Sequence, residues 1–143
     1  MYPVEPIIRH GAAVRVEKQP DATALLEETV HTIRKWQQDG YETIAVICRE
    51  EKEAAELAEQ LKSYMEIVDC NPGTTEFGDG VMVLSVAYTK GLEFDAVLLY
   101  DPTQKKYPAD NGHVKLLYVA ATRALHELVV LYHGNLSRIL TDP

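Results

Sequence analysis

Two short segments carry residue types that could contact an anionic ligand. The first is Val83-Leu84-Ser85-Val86-Ala87-Tyr88-Thr89-Lys90-Gly91-Leu92-Glu93-Phe94-Asp95. An apolar run leads into Thr89-Lys90-Gly91, where glycine permits a tight turn with exposed backbone amides. Lys90 and Glu93 then project from a short connection before the next apolar run. Alone, this segment reads as a glycine turn with a surface ion pair. The second segment is Lys115-Leu116-Leu117-Tyr118-Val119-Ala120-Ala121-Thr122-Arg123-Ala124. At about 100° per residue, Arg123 falls roughly opposite Val114 and away from Leu117, Tyr118 and Ala121. Alone, it reads as a surface arginine.

Other candidate sites fail on chemistry. Gly73 and Gly78 have the spacing of a phosphate loop, but Asp79 and Gly80 follow where a lysine and a hydroxyl are needed. An aspartate there repels phosphate, and the next residues read as a strand, not as a helix opening on an anion. Val97-Leu98-Leu99-Tyr100-Asp101 resembles a strand delivering a magnesium ligand. Pro102 follows, however, and an Asp-Pro pair reads as a strand-ending turn. The five histidines are scattered. Cys48 and Cys70 lack metal-ligand spacing and read as buried thiols of a reducing compartment. No metal site is expected within this chain.

The elements that must position these segments alternate. An irregular extended stretch is expected over 7–16. A helix follows from an Asp21 N-cap to about Gln38, with Leu25, Leu26, Thr29, Ile33 and Trp36 at helical spacing and Gly40 closing it. Thr43–Cys48 reads as a strand buried on both faces. The spacing predicts a helix over Glu51–Met65, a turn at Asn71-Pro72-Gly73, and strands over Val81–Val86 and Asp95–Tyr100. A polar turn over Pro108–Gly112 precedes a helix over His113–Leu125. Leu128–Tyr132 is a last strand, with a partial helix from Leu136. Alternating helices and strands apolar on both faces predict an α/β fold with a mostly parallel central sheet flanked by helices. No repeat, low-complexity tract or long linker divides the chain, so residues 1–143 read as one domain.

The chain has 143 residues, 46% of them hydrophobic and 25% charged, which suits a soluble globular domain. No apolar run reaches the roughly 20 residues that span a membrane, and no secretory signal is seen. A cytoplasmic location is expected. The net charge of −8 argues against a broad nucleic-acid-gripping surface but leaves room for a narrow contact.

In combination and in this order, the two segments resemble motifs V and VI of superfamily 1 helicases of the UvrD/Rep type. Lys90-Gly91-Leu92-Glu93-Phe94 is similar to the family's KGLEF pattern, and Tyr118-Val119-Ala120-Ala121-Thr122-Arg123-Ala124 to its YVAxTRA run. Ile44-Ala45-Val46-Ile47-Cys48-Arg49 resembles motif IV, a buried strand delivering an arginine. The resemblance spans about Thr43 to Tyr132. It implies the C-terminal RecA-like domain of an ATP-dependent DNA helicase or translocase, whose ATP lies between two such domains. The phosphate loop and the Mg2+ ligands would sit on an N-terminal partner domain, and the chain is expected to be a piece of a longer protein, inactive when isolated.

By the same resemblance, Arg123 would be an arginine finger with Arg49 its companion. Such a cation neutralises charge developing in phosphoryl transfer, worth roughly 10³–10⁵ in rate. Glu93 would accept from the ribose, Gly91 would allow close approach, and Lys90 belongs to the same nucleotide-contacting run. Ser85, Tyr88 and Thr89 would face nucleic acid, single-stranded DNA in the full motor. The family's Thr-x-His is replaced here by Ser85 and Ala87. The Ala87-Tyr88-Thr89 variant is similar to the HelD-like (helicase IV-like) branch, some of whose members act on RNA polymerase. The implied alternative is a RecA-like docking module for RNA polymerase or a repair partner.

Overall fold

Isoleucine and valine fill Thr43–Cys48, and alternate side chains enter different cores. Ile44, Val46 and Cys48 pack with Leu25, Ile33, Trp36, Leu57 and Leu61, whereas Ala45 and Ile47 pack with Leu117, Ala120, Ala121 and Ile139. A strand enclosed on both faces in this way has no polar face to show, which explains the unbroken apolar run. The computed structural model of the chain describes residues 13–68 and 79–141. Its elements are β1 (Ala13–Lys18), α1 (Ala22–Gln38), β2 (Thr43–Cys48), α2 (Glu51–Leu61), β3 (Gly80–Ser85), a 3-10 turn (Val86–Thr89), β4 (Phe94–Tyr100), α3 (Asn111–Ala121), β5 (Ala124–Tyr132) and α4 (Arg138–Thr141).

All strand pairings are parallel, in the order β1-β5-β4-β2-β3. One face of the sheet is covered by α1 and α2, the other by α3, α4 and the 3-10 turn. This is the expected α/β layer structure. The α1 helix starts where Asp21 Oδ1 accepts the Ala24 amide at 2.8 Å. It ends in a Schellman turn, with Gly40 at φ +89°, its amide on Gln37 O and the Tyr41 amide on Trp36 O. Trp36 is buried, and its ring N–H donates to Glu127 Oε2 at 2.6 Å, tying α1 to β5.

Several boundaries depart from expectation. The second helix stops at Leu61, not Met65, because the next turn folds back: Arg34 donates to Tyr64 O at 3.1 Å and lies over its ring. The segment expected to be irregular contains a regular edge strand at 13–18, while 7–12 and the Asn71-Pro72-Gly73 turn lie outside the described residues. Residues after Gly78 do open a strand, as the rejection of a phosphate loop required. The third helix is shifted to Asn111–Ala121. Asp110 Oδ1 caps it through the His113 amide at 2.8 Å, and Thr122 ends it. Arg123 therefore lies in the turn between α3 and β5, not on a helix face. Tyr118, expected in the core, is 45% exposed.

Candidate functional site

The connection before β4 and the turn before β5 meet at one end of the sheet. Gly91 adopts φ +79°, the left-handed region that a Cβ disfavours, and Leu92 N–H closes the turn on Thr89 O at 3.0 Å. Phe94 N–H then donates to Arg123 O at 2.8 Å, so the two segments are laced together by the start of the β4–β5 ladder. The Arg123 side chain folds back. Its Nε donates to Val119 O (3.0 Å), Nη1 to Leu92 O (3.4 Å) and Nη2 to Thr122 Oγ1 (3.3 Å). A cation beside the last carbonyls of α3 is favoured by the helix dipole. Three of the five guanidinium N–H groups are thus committed and the rest are free to meet an anion.

Gly91, Glu93, Tyr118, Thr122 and Arg123 line an open cleft of about 380 Å³. Glu93 and Lys90 are exposed, and neither enters an ion pair among the described residues, so the surface pair that the sequence alone suggested is absent. A Cβ built on Gly91 meets nothing within 4 Å, so the backbone there is open to an approaching group.

Arg49 is elsewhere. It follows the C-terminal end of β2, whereas Arg123 precedes the N-terminal end of β5. Phe94 pairs with Ala124 and Ala96 with Ile44, so the registers place the two arginines about eight residues, or roughly 26 Å, apart along the strands. Their guanidinium groups cannot converge on one phosphate in this arrangement. Strand direction puts the two residues at opposite edges of a parallel sheet, so the structure does not bring Arg49 to the Arg123 cleft.

The Arg49 edge has its own cleft of about 500 Å³, lined by Arg49, Glu50 and Glu53 after β2 and by Lys105, Lys106, Pro108 and His113 after β4. The chain leaves β2 toward β3 and β4 toward β5, in opposite directions across the sheet. A cleft between two such strands is where open α/β sheets bind ligands. The Arg49 guanidinium lies 5.9 Å from the centroid of the buried Tyr107 ring. Lys106 bridges Glu53 and Asp101, the latter at 3.1 Å. Burial pulls the Lys106 ammonium down, but the two carboxylates outweigh it and hold its pKa above the ordinary lysine value. Asp101 sits at φ +53° and accepts the His133 amide at 3.1 Å, which is the turn role its Asp-Pro sequence suggested.

Of the residues expected to face nucleic acid, Ser85 is 3% exposed and Thr89 fully buried, with the Thr89 hydroxyl donating to Val86 O at 2.7 Å. Both side chains are enclosed beside the 3-10 turn and offer no surface to a strand in this arrangement. Tyr88 is half-buried on the same edge. Its pKa is pushed up, first by partial burial and then by the negative charge of the nearby Glu51 carboxylate.

Sequence reasoning missed two features. Tyr118 lies about 100° around α3 from the buried Leu117, at the border of the apolar face, and turns outward to the cleft. The Lys106–Glu53–Asp101 bridge joins residues from separate loops, so no local spacing marks it.

Residues 80–131 match the family model of the UvrD-like helicase C-terminal domain. The C-terminal domain of a possible DNA helicase from Lactobacillus plantarum WCFS1 is similar over 97% of this chain and 91% of its own, at 25% identity and TM-score 0.80. The C-terminal domain of the DEAD-box protein Dbp5 shares the fold over 91% of this chain and 81% of its own, at 13% identity and TM-score 0.59. No curated protein matches the chain in sequence. Over residues 80–131 the chain is thus similar to UvrD-like helicase C-terminal domains, and those residues sit in a RecA-like α/β fold.

Proposed function

We propose that this domain closes over ATP held by an N-terminal RecA-like domain, as the second half of an ATP-dependent superfamily 1 DNA helicase or translocase. One observation carries the reading: Arg123 comes from one segment and Gly91 and Glu93 from another, yet all three line a single cleft, with guanidinium donors uncommitted among the described residues. ATP supplies the phosphoryl group. Arg123 is the finger that balances charge on it, Glu93 receives ribose hydroxyls, and the open backbone at Gly91 lets the nucleotide approach. Lys90 adds positive charge to the rim. Among the described residues no group of three or more His, Cys, Asp or Glu could hold a metal ion, and the proposal assigns the Mg2+ ligands to the partner domain.

Arg49 and Tyr88, on the opposite edge, are assigned to the side facing single-stranded DNA. No helix among the described residues is long and apolar enough to cross a membrane, and a cytoplasmic motor is the setting proposed. The acidic balance and the Ala87-Tyr88-Thr89 sequence favour a second reading, a HelD-like docking module for RNA polymerase or a repair partner. A nucleotide-facing arginine and glutamate sharing one cleft weigh for the motor.

The test is Arg123→Ala in the assembled two-domain motor. DNA-stimulated ATP turnover is expected to fall about 10³-fold or more while nucleotide still binds. Unchanged turnover removes the finger, and an inert parent protein gives the lead to the docking reading.

A further inference from the structure

Tyr118 has no structural task that accounts for its position. It is one of four large apolar side chains exposed among the described residues, at 45%. Another of them, Tyr64, is covered by the Arg34 guanidinium, 6.0 Å from its ring centroid. Tyr118 makes no ring stacking, cation–π contact or side-chain hydrogen bond among the described residues. It stands one helical turn before Thr122, whose amide donates to the Tyr118 carbonyl at 3.0 Å, so the two side chains share a face of α3. That face forms one wall of the cleft that holds Glu93 and Arg123.

A ring left half in water beside a charged cleft offers an apolar face to a ligand with a flat apolar face of its own. The cleft volume of about 380 Å³ lies within the range of small-molecule sites and exceeds what a bare phosphate chain needs.

We propose that Tyr118 is the platform for the nucleoside half of the nucleotide, its ring lying against base and sugar while Arg123 addresses the phosphates. This inference rests on the nucleotide-site reading of the cleft. A ring face presents no donor–acceptor pattern, so the contact adds affinity for any nucleoside triphosphate and does not select the base.

The experiment compares ATP, GTP and inorganic tripolyphosphate on the assembled motor. KM is measured for the two nucleotides, and the inhibition constant for tripolyphosphate. Tyr118→Ala is expected to weaken ATP and GTP by the same factor, roughly 5- to 100-fold, the size of one aromatic stacking contact. Tripolyphosphate inhibition stays unchanged, and Tyr118→Phe restores nucleotide affinity because it keeps the ring. The proposal is overturned if Tyr118→Ala leaves both KM values alone, if it weakens tripolyphosphate equally, or if the loss is confined to one base. Arg123→Ala in parallel separates the two levels. If that variant hydrolyses ATP normally, the site reading itself has failed; if it is inactive and Tyr118→Ala is normal, only the platform has.

Discussion

Replacing Gly91 with alanine isolates the backbone of the turn that borders the Arg123 cleft. At φ +79° an added Cβ meets nothing within 4 Å, so the cost is torsional and not a clash. The left-handed region costs an ordinary residue about 1–2 kcal/mol. Losing glycine's freedom in the unfolded chain returns about 0.4–1 kcal/mol. The net destabilisation is therefore about 0.5–1.5 kcal/mol, a shift of roughly 0.5 M in the urea midpoint for a domain of this size. Gly40 supplies the control, since it has φ +89°, is equally open, follows the end of α1 and is not among the residues that line the cleft. Gly40→Ala should lower the midpoint by a similar amount. Only Gly91→Ala should also impair ATP turnover in the assembled motor, because Leu92 O, which holds Arg123, and Glu93 both follow that turn. Gly91→Asn should recover part of both losses, asparagine being the side chain that best tolerates this region. Midpoints are read by far-ultraviolet circular dichroism and turnover by phosphate release. An unchanged midpoint for Gly91→Ala would show that the φ is not enforced, and equal loss of turnover in Gly40→Ala would reduce the effect to global stability.

Asp95 joins two strand ends: its Oδ2 accepts the amides of Glu42 (2.8 Å) and Thr43 (3.1 Å). Burial pushes its pKa up, but those amides, the Thr43 hydroxyl and His126 outweigh burial and hold it below the ordinary 3.8. A carboxylate depressed on folding adds stability above its unfolded pKa and loses it as pH falls through the folded value. Wild type should therefore be more stable than Asp95→Asn at neutral pH, with the gap closing below about pH 4; a gap that stays constant down to about pH 2 would refute the linkage. Arg49→Ala should lower the salt slope of single-stranded DNA binding by about one ion and add to Arg123→Ala in turnover within about 0.5 kcal/mol; strong coupling between the two would place both on one phosphate.

Much of this was readable in the chain because local and global signals agree. Thr43–Cys48 is apolar throughout and is a strand with the predicted bounds, since its buried position leaves no alternative face. Asp21 and Gly40 mark the ends of α1 because each satisfies backbone groups that the helix leaves open. The resemblance at Lys90–Phe94 and Tyr118–Ala124 pointed to residues that line one cleft, and residues 80–131 match the model of the UvrD-like helicase C-terminal domain. The failures share a cause. Whether Ser85 and Thr89 meet a ligand depends on the 3-10 turn folding over the end of β3, which no spacing of residues reports. Whether Arg49 and Arg123 meet depends on which end of each strand the chain enters. A one-dimensional motif places both beside strands but says nothing of which edge.

That separation gives the segment between Ser85 and Phe94 a particular geometry. Ser85 pairs with Cys48 at the C-terminal edge, while Phe94, two residues before the partner of Ile44, starts β4 at the opposite edge. The connection must therefore recross the sheet by about 20 Å and pass over one intervening strand, β2. Four residues of 3-10 turn rise about 8 Å, and the turn that Leu92 N–H closes on Thr89 O redirects the rest of the connection toward β4. Its first half carries Tyr88, beside Glu51 at the start of α2, and its second half carries Leu92, whose carbonyl holds Arg123. Under the proposed function, one eight-residue connection thus runs from the Tyr88 edge, assigned to the strand, to the turn that positions the arginine assigned to ATP.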